Sequence, residues 1–514
     1  MKEKGFVRTI LVENPSLSDN TADAQRLEQA LKKDLDADHV RIPLKILKSL
    51  PSKLRSWNFK AKAVLFKDLS SWILVDLLEP VIKKAVLGTA IDIGTTRIVI
   101  ALVDLETGKD IGETGFDNPQ AAIGPDVLAR IHYSNRENGV FELNRLVIDA
   151  VNLNLSVLCE KHGCKKEDIY LVTCAGNTAM THLFLGIESF WIIKEPYIPC
   201  VNIPDTQPAG NLNLRINENG VVFLFPNIGS YFGGDLIAGI LFSALDEKHE
   251  PCLMVDVGTN AEIVVGNNDF LIACAGAAGP ALEGGMSKMG MTAKPGVIDK
   301  VWIDPDTGDL KSHTIDGKKP VGICGSGMID LAASLFLSGR IDIRGKLSSH
   351  ACGKALFKKD GIMYFVLVDK AGSDTGESIC LSQADLDSLT SSKAAMYTIL
   401  EVIVKNTAGL EFEDLEKFYV AGTFGSFINP VSAISIGMLP DIPVNTFEVL
   451  GNSSLGGAKE LLKNPDAFER IMNIRQSITY IELNVNQEFM NMFSGAKFYP
   501  HTDRARFPSL DNKI

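Results

Sequence analysis

Thr89-Ala-Ile-Asp-Ile-Gly-Thr-Thr96 and Leu253-Met-Val-Asp-Val-Gly-Thr-Asn260 are two copies of one pattern: an apolar run, the tetrad Asp-x-Gly-Thr, and a return to apolar residues. Around each copy, Arg97 to Asp104 and Ala261 to Gly266 read as second strands, Glu106-Thr-Gly108 and Asn267-Asn-Asp269 as turns, and the residues beyond as third strands. The duplication predicts two related halves facing one ligand. The first turn restricts that ligand. Gly94 and Gly258 lack Cβ, so a phosphate can approach the backbone and successive N–H groups can form an anion nest, to which the Thr hydroxyls add donors. Asp92 and Asp256 end apolar strands, where an ionised carboxylate can hold Mg²⁺ through its water shell, the usual arrangement for that cation beside phosphates. A single Asp-x-Gly-Thr is more often an ordinary hairpin with a solvated Asp, but two in matching strand contexts favour the phosphate reading.

The 514 residues are 46% hydrophobic and 22% charged, enough for a substantial core and, by length, about three domains. A net charge of −12 argues against nonspecific nucleic-acid binding, which relies on Lys and Arg neutralising phosphates. Met1-Lys-Glu-Lys-Gly5 leads into a strand and not into a long apolar core, so no signal peptide is read. The apolar stretch from Val221 to Leu245 is interrupted by Pro226, several Gly residues and Asp235. The expectation is a cytoplasmic protein with neither membrane nor nucleic-acid partners. Nine cysteines, scattered from Cys159 to Cys380 without a Cys-x-x-Cys, do not suit a disulfide-stapled fold; the close pair Cys159 and Cys164 lacks the further thiols of a ferredoxin-type cluster.

Phe6 to Val12, Ala61 to Phe66 and Trp72 to Leu77 read as strands, and Asp19-Asn20-Thr21 as a helix cap leading to Leu27 and Leu31. They make a small α/β domain over residues 1–87, followed by one half over 88–250 and a second over 251–514. Asp304 to Lys319 and Leu347 to Gly376 are polar, turn-rich hairpins or insertions in the second half. Three more segments bear on a nucleotide. Lys417 to Gly425 is a strand ending in a Gly-rich turn, which lets backbone lie flat against an adenine or ribose. Gly233 to Leu245 is a helix entering just before the second phosphate strand, and Gly451 to Ala458 opens a helix with the small residues that close packing requires.

Two phosphate loops, a connecting helix, the turn Ala421-Gly-Thr-Phe-Gly425 and a second connecting helix, in this order, resemble the superfamily of actin, sugar kinases and chaperone ATPases. Within it the chain resembles the ATP-dependent reductive activators of corrinoid proteins. The resemblance is carried by Asn118-Pro-Gln120 with Gly124, Asp126-Val127 and Arg130-Ile131; Gly176-Asn-Thr178 with Met180; Ala277-Ala-Gly-Pro280 with Glu283-Gly284; Gly322-Ile-Cys-Gly-Ser-Gly327; and Ile481-Glu-Leu-Asn484 with Pro500-His501.

The resemblance implies an α/β fold of two actin-like, ribonuclease H-like halves with a nucleotide cleft between them, preceded by the small α/β domain. It implies an enzyme that uses ATP to drive one-electron reduction of an inactive Co(II) corrinoid protein to Co(I) for methyl transfer, with ATP and Mg²⁺ as cofactors. The implied partners are the corrinoid protein of a methyltransferase system, an electron donor and, in a homodimer, a second copy. By the same resemblance Asp92 positions Mg²⁺ and the attacking water, with Gly94, Thr95 and Thr96 on the outer phosphates, and Asp256 with Gly258, Thr259 and Asn260 acts likewise from the other half. Gly422, Thr423, Phe424 and Gly425 face the adenosine. Asp235 matches an acidic position near the metal, with a helix N-cap as the other reading. Glu283 is either a ribose ligand or a solvated helix-starting residue.

Such activators carry an iron–sulfur domain, [2Fe–2S] by expectation, either as an N-terminal ferredoxin-like unit or as a ferredoxin-type unit at the other end, and this chain shows ligands for neither. Met1 falls about where that unit joins the small domain, so either the chain is part of a longer protein or the electron enters through a separate one. Cys274 and Cys324 read as buried thiols, with a redox role as the rival, and His501 as a structural histidine, with a proton shuttle or a cobalt ligand as the rivals. Two other functions stay open: an ATP-driven binding and remodelling clamp whose electrons come from another protein, and a small-molecule kinase of the same superfamily.

Overall fold

The computed structural model describes residues 5–69, 71–81, 84–230, 232–258, 261–276, 290–291, 293–304, 306–422, 427–481 and 487–511. Strands β1 (Val7–Leu11), β2 (Val40–Arg41), β3 (Lys60–Lys67) and β4 (Trp72–Leu78) form a sheet in the order β1-β3-β4-β2. Leu27 and Leu31 of helix Asp23–Leu35 and Leu54 of helix Leu50–Ser56 pack on its apolar side chains. The three expected strands lie within a residue or so of the observed ones, but the expected cap comes too early. The helix starts at Asp23 behind Ala22, which makes no side-chain cap bond. Asp19 instead accepts from the Thr21 N–H and pairs with Arg26 at 2.6 Å, and bonds from Thr21 and then Arg26 hold its carboxyl down at about 2.

The duplicated motif becomes duplicated topology. Antiparallel β5 (Leu87–Ile93), β6 (Arg97–Asp104) and β7 (Asp110–Asp117) are extended by β8 (Ile169–Ala175), parallel to β5, then by β10 (Val221–Leu224) and the short β9 (Gln207–Pro208). In the other copy, antiparallel β11 (Cys252–Val257), β12 (Ala261–Gly266) and β13 (Leu271–Gly276) are extended by β20 (Lys417–Ala421) and β21 (Phe447–Gly451), both running parallel to β11. Its extra strand, β22 (Ile478–Ile481), joins the opposite edge beside β13. β5 and β11 are buried along almost their whole length, as expected of central strands covered on both faces. Leu143, Val147, Val151, Leu155 and Leu158 form the apolar stripe by which helix Gly139–Lys161 covers the first sheet.

In and beside the polar segments of the second copy, β14 (Val297–Ile303), β15 (Leu310–Thr314) and β16 (Gly322–Ile323) form one small sheet, and β17 (Leu356–Lys359), β18 (Ile362–Val368) and β19 (Ile379–Ser382) another. Both begin with the expected hairpins. No helix among the described residues is long and apolar enough to cross a membrane.

Two compact bodies result: Met1–Ala244 with Ser453–Ser477, and Leu245–Asn452 with Ile478–Ile514. The expected division ran in chain order, with 251–514 as one half; packing groups one late segment differently. Helices Ser453–Lys463 and Ala467–Ser477 belong to the first body, where Gly457 lies against the Ala238 carbonyl and the Thr173 hydroxyl donates to Ala458 O at 2.8 Å. The small N-terminal sheet shares this body. Phe66 from β3, Phe223 from β10 and Phe468 form a continuous aromatic contact, with ring centroids 5.8 and 5.5 Å apart.

In the second body, helix Gln383–Glu401 clamps the chain near its C-terminal end. Lys393 is fully buried; its Nζ donates to the carbonyls of Phe498 and, at 2.7 Å, Pro500, and lies 5.0 Å from the Tyr499 ring centre. Burial depresses its pKa well below the lysine value of 10.5. Between the folded and unfolded values the unfolded chain binds the extra proton, so stability rises with pH across that window. Lys393→Met is expected to remove this rise, which reaches up to about 1.4 kcal/mol per pH unit. Urea midpoints measured from neutral pH towards 10.5 for both proteins check it.

Candidate functional site

The strand end carrying Asp92 is held in place by long-range polar contacts. Gly94 turns so tightly that a Cβ would overlap the Arg97 carbonyl oxygen. Buried Asn118, from the end of β7, donates through Nδ2 to Gly94 O at 2.9 Å, and its N–H donates to Thr96 O at 2.8 Å. Asn177 caps helix Thr178–Leu185 by accepting from the Met180 N–H, and its Nδ2 donates to Thr95 Oγ1 at 3.1 Å. The Ser454 hydroxyl donates to Asp92 Oδ1 at 2.8 Å. Asp92, Gly94 and Thr95 are half-buried and Thr96 is exposed, so a compact polar turn opens to solvent on one side.

Asp235 lies in the first turn of helix Gly234–Ser243, whose N-cap is Gly233; its Oδ1 accepts from the Leu236 N–H at 2.9 Å. The Asp235 N–H donates to Gly176 O, and a Cβ on Gly233 would overlap Asn177 Cα. Register places Asp92 beside Ala175, so the end of β5, the Gly176-Asn177 turn and the start of the Asp235 helix converge. A carboxylate in a helix's first turn is favoured by the positive end of the helix dipole.

The second body repeats the register. Asp256 pairs with Ala421, followed by Gly422, as Asp92 pairs with Ala175, followed by Gly176. Gly422 has φ +84°, and a Cβ there would come within 2.6 Å of Asp256 Oδ1 and 2.8 Å of Val257 O. The glycine is thus required for close approach to the Asp256 carboxylate. Glu262 stands directly opposite Asp256 across β11 and β12, where the first body has Val99 opposite Asp92. Gly258 is exposed beyond the strand end. Thr259, Asn260, Glu283, Thr423, Phe424 and Gly425 lie outside the described residues.

The residue-by-residue expectations named the Asp, Gly and Thr positions and gave no role to Asn118, Asn177 or Ser454, which do the holding. The repeat of Ala175-Gly176 and Ala421-Gly422 at the ends of β8 and β20 marks the turn that carries Asn177 but not its partner.

Among the described residues, no three or more His, Cys, Asp or Glu side chains group as a metal set. The described residues do not fit an iron–sulfur cluster, which needs several converging thiolates. Burial raises the thiol pKa of Cys274, and Cys324 donates to Ile298 O. His501 is buried, accepts from the Asp503 N–H at 2.9 Å, and burial together with Arg506 and Lys393 pushes its pKa down to about 4.

Residues 7–79, 87–248 and 250–511 match, in turn, family models described as the RACo linker region, the RACo middle region, and the C-terminal domain of RACo, the ASKHA domain. The chain is 31% identical over 419 residues to the corrinoid activation enzyme RamQ of Eubacterium limosum, covering 80% of this chain and 70% of RamQ. It is 28% identical over 439 residues to the [Co(II) methylated amine-specific corrinoid protein] reductase of Methanosarcina barkeri, covering 79% and 76%. A solved reductive activator for corrinoid, iron-sulfur protein matches with a TM-score of 0.86 at 37% identity, over 99% of this chain and 81% of that one.

Proposed function

The chain belongs to the RACo family, and on that premise we propose that it is an ATP-dependent activator that supports reduction of an inactive Co(II) corrinoid protein to Co(I). The single observation that carries the ATP part is the Asp92–Thr96 turn, gripped by Asn118, Asn177 and Ser454 and open to solvent at Thr96. Relatives named for acting on corrinoid proteins support the substrate class.

In this reading Gly94, Thr95 and Thr96 receive the outer phosphates on backbone N–H and hydroxyl donors, and Asp92 orients the attacking water. Phosphoryl transfer requires mainly such positioning and charge neutralisation. Asp256 and Gly258, with Thr259 and Asn260, take the corresponding role in the second body, Asp235 lies near the metal, and Gly422 to Gly425 with Glu283 serve the nucleoside. Magnesium, when bound, would neutralise phosphate charge beside Asp92 and Asp256. The electron that converts Co(II) to Co(I) comes from a separate protein or a further iron–sulfur unit. ATP helps only as far as its affinity differs between two conformations of the activator. The homodimer belongs to the same proposal.

The test is ATP hydrolysis with and without a Co(II) corrinoid protein, while cobalt absorbance is followed in the presence of a chemical reductant. Hydrolysis stimulated by the corrinoid protein together with Co(I) formation is expected. Hydrolysis indifferent to it, with no change at cobalt, would leave an ATPase whose target lies elsewhere.

A further inference from the structure

Arg130 is fully buried, and the one charge acting on its guanidinium is that of the exposed N-cap residue Asp126. Nε donates to Gly124 O at 2.8 Å, Nη1 contacts Gln120 Oε1 at 3.3 Å and Met180 Sδ at 3.4 Å, and Nη2 is buried without a hydrogen-bond partner. Desolvation lowers the guanidinium pKa to about 10. A leucine or methionine would fill such a space at lower cost, since burying a charge whose donors are only partly hydrogen-bonded is expensive.

What distinguishes the site is where its contacts lead. Gln120, also fully buried, donates its N–H to Asn118 Oδ1, and Asn118 holds Gly94 and Thr96. Met180 donates its N–H to Asn177 Oδ1, and Asn177 holds Thr95. Gly124 is a glycine because a Cβ would meet Arg130 N at 2.8 Å and Cγ at 2.9 Å. Two of the three arms that grip the turn therefore converge on one planar cation, whose Nη1 meets Gln120 and Met180 while Nε fixes its plane on Gly124 O.

We propose that Arg130 is a positioning residue for the phosphate turn, locking the Asn118 and Asn177 arms at the spacing that suits a polyphosphate. The proposal rests on the ATP reading above for its kinetic consequence, but not for its structural one. The fork, rather than charge alone, sets the geometry, so lysine is a poor substitute.

The test uses the full chain and two readouts. Hydrogen exchange of the Asn118 amide, which donates to Thr96 O, is measured without nucleotide, and KM and kcat for ATP are measured separately. In Arg130→Met, exchange at Asn118 is expected to accelerate on the order of tenfold while protection along β5 and β6 is retained, and KM is expected to rise on the order of tenfold with a smaller change in kcat. Arg130→Lys should restore neither. Unchanged Asn118 exchange in Arg130→Met, or wild-type exchange and KM in Arg130→Lys, overturns the proposal. If Arg130→Met fails to fold, Gln120→Leu cuts one arm and is held to the same two criteria. A wild-type chain that neither binds nor hydrolyses ATP sinks the ATP reading, and the exchange result still decides the role of Arg130.

Discussion

Asp92→Asn is expected to lower ATP turnover by about 10²–10³-fold, the size of effect seen when one preorganised electrostatic group is removed from a reacting centre. The side-chain amide oxygen can still accept the Ser454 hydroxyl, now 2.8 Å from Asp92 Oδ1, so the strand end keeps its anchor and thermal unfolding should stay close to wild type. What is lost is the negative charge. Steady-state hydrolysis and cobalt absorbance measured on the same preparation separate two mechanisms. Loss of both activities ties reduction to hydrolysis, whereas lost hydrolysis with retained reactivation supports the remodelling clamp, in which nucleotide binding suffices. Turnover at the wild-type rate would remove Asp92 from the mechanism altogether.

The second large effect concerns stability. Helices Gly234–Ser243 and Ser453–Lys463 meet where Gly457 faces the Ala238 carbonyl and Gly456 faces the Phe242 ring. Gly457→Ala would place a methyl group inside backbone that cannot rotate away, and is expected to cost at least about 3 kcal/mol even after a gain of about 1 kcal/mol in helix propensity. Gly456→Ala meets the Phe242 ring, Cγ included, but that side chain is 44% exposed and can change rotamer, so it should cost clearly less than Gly457→Ala. Three of the four tryptophans, Trp57, Trp72 and Trp191, lie in the first body. Denaturant unfolding followed by fluorescence in a Trp302→Phe background therefore reports that body alone. Equal midpoints for the two alanine variants would contradict the close helix contact.

Much of the fold was legible because its strands are local and strongly patterned. β6 and β12 fall where the residues after Asp92 and Asp256 suggested, since alternating apolar runs bounded by Asn, Asp and Gly turns leave little choice of period. The strand-end places of Asp92 and Asp256 and the tight turn at Gly94 were legible for the same reason. Asn118, Asn177 and Ser454 were not, because each reaches its target across a long stretch of chain and nothing local to it marks the partner. The first helix began late because Asp19 found Arg26 as a partner instead of a helix N-terminus. That Ser453–Ser477 packs in the first body was not legible, because chain order alone cannot say which body a late helix joins, whereas Gly457 can once its neighbour Ala238 is known.

That late helix has a consequence for synthesis on the ribosome. When Ala244 emerges, the first body still lacks Ser453–Ser477, and residues 245–452 must be translated before it can close. At typical elongation rates this takes roughly 10–40 s. Throughout that interval Ala238 and Phe242 face no partner helix, and nascent chains of this length present an apolar seam of the kind that chaperones bind.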